Sequence, residues 1–132
     1  MVYYGDEAGM EGFEDPFNRN TYPWGREDAG LVDWFRALGA LRHDHPALQK
    51  GQLRYEYARG DLLAFSRVQG RDHVLVAFNA GEEEQKLELP LEGSVKVLLG
   101  EGTVQPGEES VVLTLPPRSG TALGVKLPRG KK

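Results

Sequence analysis

Asp15 and Arg19 stand four residues apart in "EDPFNR", with Tyr22 and Trp24 close behind. A carboxylate and a guanidinium can bond paired hydroxyls, and an aromatic ring can cover the apolar face of a sugar. The grouping therefore suits a polyhydroxylated ligand. The same two charges equally make a salt bridge that pins a loop stiffened by Pro16, because binding pockets and structural ion pairs draw on the same residues. Asp6 and Glu7 are adjacent carboxylates upstream. Glycoside hydrolysis needs two carboxyl groups at set separations, but neighbours on an extended chain point to opposite sides and flank one bond poorly. Their simpler role is to accept hydrogen bonds that anchor the loop. His43 and His45 form an H-x-H pair. On a helix such residues point about 200° apart, which disfavours a shared metal, and near a helix C-terminus histidine caps carbonyls or meets the dipole. No nucleophile elbow, phosphate loop, dinucleotide fingerprint or H-E-x-x-H occurs. Residue types and spacing identify no complete catalytic machinery, and no metal or cofactor is expected.

Three zones must position these groups. Residues 1–28 hold a short apolar run, Val2-Tyr3-Tyr4, that reads as a strand ending at Gly5, followed by a polar, acidic loop. Residues 29–48 read as one amphipathic helix: Leu31, Trp34, Phe35, Leu38 and Leu41 line one face. Asp28 is its N-cap, and Pro46 ends it. Gly39, inside the helix at roughly 1 kcal/mol against alanine, marks a close packing contact. From about Gly51 the period changes to two. "LRYEYA", "LLAFSRV", "HVLVAFNA", "QKLELPL", "SVKVLLG", "SVVLTLP" and "TALGVKL" read as seven short strands. The text between them, including "GEGTVQPGEE", is rich in turn formers. That spacing predicts an antiparallel sandwich or barrel. "PRGKK" at the end reads as a solvated tail.

The opening "YYGDEAGMEGFEDPFNRNTYPW", followed by a helix ending "ALRHDHPAL", resembles the late part of the α-amylase family of glycoside hydrolases, nearest to its neopullulanase, cyclomaltodextrinase and amylopullulanase members. The resemblance covers residues 1 to about 50 by motif and continues beyond by position and strand pattern. It implies a mainly β chain: an antiparallel β-sandwich over residues 49–132, preceded by residues 1–48 as the eighth strand, acidic loop and eighth helix of a truncated (β/α)8 barrel. The expected function is that of a C-terminal segment of an α-glucan hydrolase that cleaves α-1,4 or α-1,6 bonds with retention. Such a barrel carries its active site on loops at the strand C-termini. The family's nucleophile aspartate, acid/base glutamate and third aspartate belong to upstream strands, so no catalytic residue is expected here and the chain alone is expected to be inactive. Asp15 and Arg19 match positions that contact glucan on the non-reducing side of the cleavage point. The implied partners are an α-glucan oligosaccharide, met through the parent enzyme, and the missing catalytic barrel. The sandwich is expected to cover apolar barrel surface, including part of the helix face with Trp34, Phe35 and Leu38.

Composition bounds the alternatives. At 132 residues, 39% hydrophobic and 27% charged, the chain is globular rather than disordered. A net charge of −4 gives nucleic acid no electrostatic support. No apolar run approaches the roughly 18–20 residues of a membrane span, and the start lacks the pattern of a signal peptide. The absence of cysteine leaves the compartment open. A rival reading is a carbohydrate-binding sandwich. Its candidates are Tyr55 and Tyr57, two apart on one strand face, because Phe65 and Phe78 sit in apolar strands that read as buried. A third is a small interaction domain without sugar chemistry.

Overall fold

The computed structural model describes residues 2–128. Met1 and residues 129–132, where most of the expected tail falls, lie outside them. The chain divides into two compact units, Met1–Ala40 and Leu41–Lys132.

In the first unit Val2–Tyr4 forms no strand. A strand needs a neighbour to satisfy its backbone groups, and the local bonds lead elsewhere. The Asp6 N–H donates to the Tyr3 carbonyl and the Ala8 N–H to the Gly5 carbonyl, building a 3-10 turn at Asp6–Ala8. Gly5 makes the entry possible with φ 93°, and Met10 lies so close over it that a Cβ would meet the Met10 Sδ. Helix α1 (Ala29–Asp44) starts as the cap signal predicts: Asp28 Oδ1 accepts the Leu31 N–H at 3.0 Å. The helix buries none of its residues, and Leu31, Trp34 and Leu38 are exposed. Gly39 has open space where a Cβ would stand, so the expected packing contact is absent.

The predicted single helix breaks at His45. Pro46 forces its predecessor out of the helical region (φ −116°, ψ 100°) and then serves as the first residue of α2 (Pro46–Lys50). Two strands anchor α2. Asp72 accepts the Ala47 N–H at 2.8 Å and pairs with His45 Nδ1 at 2.9 Å, while Arg67 Nε donates to the Gly51 carbonyl at 3.1 Å.

Among the described residues eight strands follow: β1 (Gln52–Arg59), β2 (Leu62–Gln69), β3 (Asp72–Asn79), β4 (Gln85–Pro90), β5 (Ser94–Gly100), β6 (Thr103–Pro106), β7 (Ser110–Leu115) and β8 (Ser119–Lys126). By local pattern β6 reads as turn text. Its four residues sit between Gly102 and Gly107, and they become a strand by pairing with β7. The strands form a five-stranded sheet, β1-β2-β3-β8-β5, and a three-stranded sheet, β4-β7-β6, antiparallel throughout. The β1–β2 and β2–β3 hairpins turn on two residues, each loop opening with a glycine at positive φ (Gly60, 54°; Gly70, 60°).

Alternation sorts the side chains. Leu62, Ala64, Leu75, Ala77 and Leu123 meet Leu87, Leu89, Val111, Leu113 and Leu115 of the facing sheet in one core. On the outer face of the large sheet, Leu41, Leu48 and buried Ala47 pack with Val74 and Ala122. Asn79 joins the two sheets. Fully buried, it donates to the carbonyls of Glu83, Leu115 and Pro116 at 2.8, 3.2 and 2.9 Å and accepts the Gly81 N–H at 2.9 Å. Both donor and acceptor functions of the amide are thereby used.

Candidate functional site

The loop between the 3-10 turn and α1 carries the residues singled out by type, as two separate pairs. Arg19 Nε donates to Asp15 Oδ1 at 2.7 Å and Nη2 to Asp15 Oδ2 at 3.2 Å, a forked pair. The pair remains open: the Arg19 and Asp15 side chains are 67% and 60% exposed. Tyr22 and Trp24 stack at 4.6 Å between centroids, tilted by 51°. The loop is held by its own backbone and by Tyr4, whose hydroxyl donates to the Asn20 carbonyl at 2.9 Å. Additional donors are Phe17 N–H to Glu14 and Arg19 N–H to Pro16. Phe13, Phe17 and Trp24 of the same loop are strongly exposed. An open, pre-paired carboxylate and guanidinium with rings nearby can engage hydroxyls without first being ordered.

Asp6 and Glu7 take the anchoring role. Asp6 Oδ2 accepts the Tyr3 N–H at 3.1 Å and Glu7 Oε2 the Gly5 N–H at 3.0 Å, so each is occupied by local backbone. His43 and His45 go separate ways. His43 meets its neighbour Asp44 at 3.3 Å on the surface, whereas His45 is part-buried against Asp72. Burial alone would raise the Asp72 pKa, but the bonds from His45 and the Ala47 N–H and the nearby His charges outweigh it and hold the carboxyl below its usual range. Among the described residues no group of three His, Asp or Glu could hold a metal ion, and no helix is long and apolar enough to cross a membrane.

The tyrosine pair of the rival reading does not share a face. A β-bulge between Tyr55 and Tyr57 places Tyr55 opposite Phe65 on the outer face and Tyr57 opposite Ala64, where it packs on the core. The expectation for Phe78 also fails: it is 43% exposed on the outer face, 6.3 Å from the half-buried Phe65.

A second concavity is not evident from local sequence pattern. Near the start of β1, the inner face of the large sheet carries Arg54, Glu56, Ser66 and His73, where alternation calls for apolar residues. They line a cavity of about 540 Å3 between the sheets. His73 Nε2 lies 3.0 Å from the Ser66 hydroxyl, and burial lowers the proton affinity of the ring. Polar residues on the core side of a strand are the signal that could have found it.

Comparison with known proteins identifies the family of the chain. Residues 53–119, just over half of the chain, match the neopullulanase-like C-terminal domain family. Over 95 residues the chain is 40% identical to the amylopullulanase of Thermoanaerobacter thermohydrosulfuricus, which covers 64% of this chain and 6% of that protein. Over 132 residues it is 34% identical to neopullulanase 2 of Thermoactinomyces vulgaris, covering 93% of this chain and 22% of that protein. The solved structure of the Nostoc punctiforme debranching enzyme superimposes with a TM-score of 0.86 at 33% identity, over 94% of this chain and 27% of that one. The chain thus spans less than a quarter of the length of either sequence relative. With its two antiparallel sheets and a match that runs from β1 through β7, the chain belongs to the neopullulanase-like C-terminal domain family.

Proposed function

We propose that this chain acts as the C-terminal segment of an α-glucan hydrolase, with residues 1–48 completing a catalytic barrel and residues 49–132 forming the sandwich that supports it. In the complete enzyme, cleavage of α-glucosidic bonds with retention runs through two carboxylates carried on other strands. This chain's contribution is binding. Asp15 and Arg19 contact hydroxyls of a maltodextrin-type glucan on the non-reducing side, beside the Tyr22 and Trp24 rings. The observation that carries this reading is the forked Asp15–Arg19 pair, held at 2.7 and 3.2 Å yet mostly open to solvent. A pair that served only to pin the loop would contribute little at such exposure. The apolar stripe of α1, Leu31, Trp34 and Leu38, adds to it, because a stripe of that kind asks for a cover and a barrel scaffold supplies one.

The test begins with the DNA upstream of the Met1 codon. The expected result is an open frame encoding seven further strand and helix units with acidic residues at the strand ends. A stop codon directly upstream would overturn the segment reading. In the resulting enzyme, Arg19→Ala is expected to raise KM for maltodextrin about tenfold, the loss of a charge-assisted hydrogen bond. An unchanged KM would remove Arg19 from the glucan contacts.

A further inference from the structure

The sandwich cavity holds more polar chemistry than a support needs. Ser66 is 1% exposed and shares its hydroxyl with His73 at 3.0 Å. The Glu56 side chain is only 20% exposed and accepts from Arg54 at 2.8 Å. Leu91 and Leu127, half-buried and exposed, supply apolar wall over the buried Leu75 and Leu89. Hydrophobic residues at these inner-face positions would stabilise a sandwich at least as well as a part-buried ion pair and hydroxyl. The groups also keep bonding capacity in hand. A carboxylate offers about four acceptor sites and a guanidinium five donors, and their mutual contact uses a minority of them. Glu92 and Glu109 are the other charged residues of the lining, and with burial disfavouring protonation of His73 its net charge is negative. Phosphates and carboxylates are therefore poor ligands. A metal ion is equally unsuited, since no group of three suitable ligands exists among the described residues. A neutral ligand with adjacent hydroxyls fits, since a carboxylate and a guanidinium match the spacing of a vicinal diol while the apolar walls meet its C–H face. The volume of about 540 Å3 lies within the roughly 300–1,000 Å3 of small-molecule sites.

We propose that this cavity is a saccharide site of the sandwich itself, in which Arg54, Glu56 and His73, the last held by the buried Ser66 hydroxyl, bind the hydroxyls of a short α-glucan. That the saccharide is an α-glucan rests on the function proposed above; that it is a neutral polyol rests on the cavity.

Nuclear magnetic resonance of the 15N-labelled 132-residue chain, titrated with maltotriose, tests this directly. Saturable shifts are expected at the His73 ring and at the Arg54, Glu56 and Ser66 amides. Binding should weaken about tenfold in Glu56→Gln and in Arg54→Ala, each losing a charge-assisted bond. Arg54 is largely exposed, so its variant keeps the fold if Glu56→Gln disturbs it. The double variant Asp15→Ala/Arg19→Ala should leave these shifts in place. Shifts confined to residues 13–24 would overturn the cavity site while supporting the loop, and cavity shifts, with or without loop shifts, support the cavity site. No shift anywhere overturns the cavity site. So do shifts there with putrescine, a diamine suited to the negative lining, but not with maltotriose.

Discussion

In the unit Met1–Ala40 the large rings face water: Phe13, Phe17 and Trp24 are 85%, 70% and 81% exposed, and among the described apolar side chains only Ala8 is buried. In the unit Leu41–Lys132, Leu75, Leu113, Leu115 and Leu123 are essentially sealed, and the buried polar groups Ser66, Asn79 and Thr121 all have hydrogen-bond partners. The first unit is therefore ordered by short-range bonds, such as the Asp28 cap and the carboxylates on the Tyr3 and Gly5 N–H groups. The second is ordered by burial between two sheets, the larger driving force in folding. A unit built of local bonds leaves its rings and charges free for a ligand or a larger body, whereas a unit with a closed core carries its own stability.

The largest difference is expected on truncating one large side chain in each unit. Leu113 is completely buried at the centre of the three-stranded sheet, and Leu113→Ala is expected to cost about 3 kcal/mol, read as a lower urea midpoint. Trp34→Ala removes a larger side chain from a helix that buries nothing, and should cost less than about 1 kcal/mol. Equal losses would mean that the two units are stabilised alike.

Next in size is Asn79. Asn79→Ala leaves the three carbonyls of Glu83, Leu115 and Pro116 and the Gly81 N–H without their partner, with an expected loss of about 2 kcal/mol. Asn79→Asp should be worse, because a carboxylate cannot donate to those carbonyls. A neutral Asn79→Ala in chemical denaturation would show that water replaces the amide there.

Much of this is legible in the sequence. Period-two text locates seven of the eight strands, and Asp28 announces the start of α1. The misses share a cause: each depends on a partner that local pattern does not contain. Val2–Tyr4 is β-prone but has no strand to pair with among the described residues. β6 is four residues of turn-like text that only β7 makes into a strand. Pro46 reads as a stop, though the residue that ends one helix also starts the next. The bulge at Tyr55/Tyr57 adds one residue, which reverses every facing assignment past it. Of the candidate sites, the Asp15–Arg19 pair is visible because its members stand four residues apart in one loop. The sandwich cavity needs the register of β1, β2 and β3 to put Arg54 opposite Ser66 and to carry His73 alongside.

A smaller effect, of opposite sign, sharpens the contrast within α1. Gly39 has a negative φ and open space around its absent side chain, so Gly39→Ala should stabilise the helix by about 0.7–1 kcal/mol through lost unfolded-state freedom. Helicity by circular dichroism and the midpoint of α1 amide exchange would both rise. A fall would mean that something packs on Gly39 in solution.

The smallest expected effect is a pH slope carried by the second unit, since Asp72 and His73 both keep access to water and are screened by it. Their signs agree. The Asp72 carboxyl sits below its ordinary value of 3.8 in the folded chain, so its contribution is full above that value and is lost as pH falls through the lower folded pKa. The His73 ring, lowered by burial from 6.5, resists the proton that the unfolded chain accepts; stability therefore falls as pH drops from 6.5 to the folded pKa. Two descending steps on acidification are expected, one beginning near 6.5 and one below 3.8. His73→Gln should erase the upper step alone, and Asp72→Asn the lower one, while loosening α2 by weakening its contacts with the Ala47 N–H and His45. A stability profile flat between pH 7 and 5 would assign His73 the same environment folded and unfolded, and the cavity around it would then be open to water.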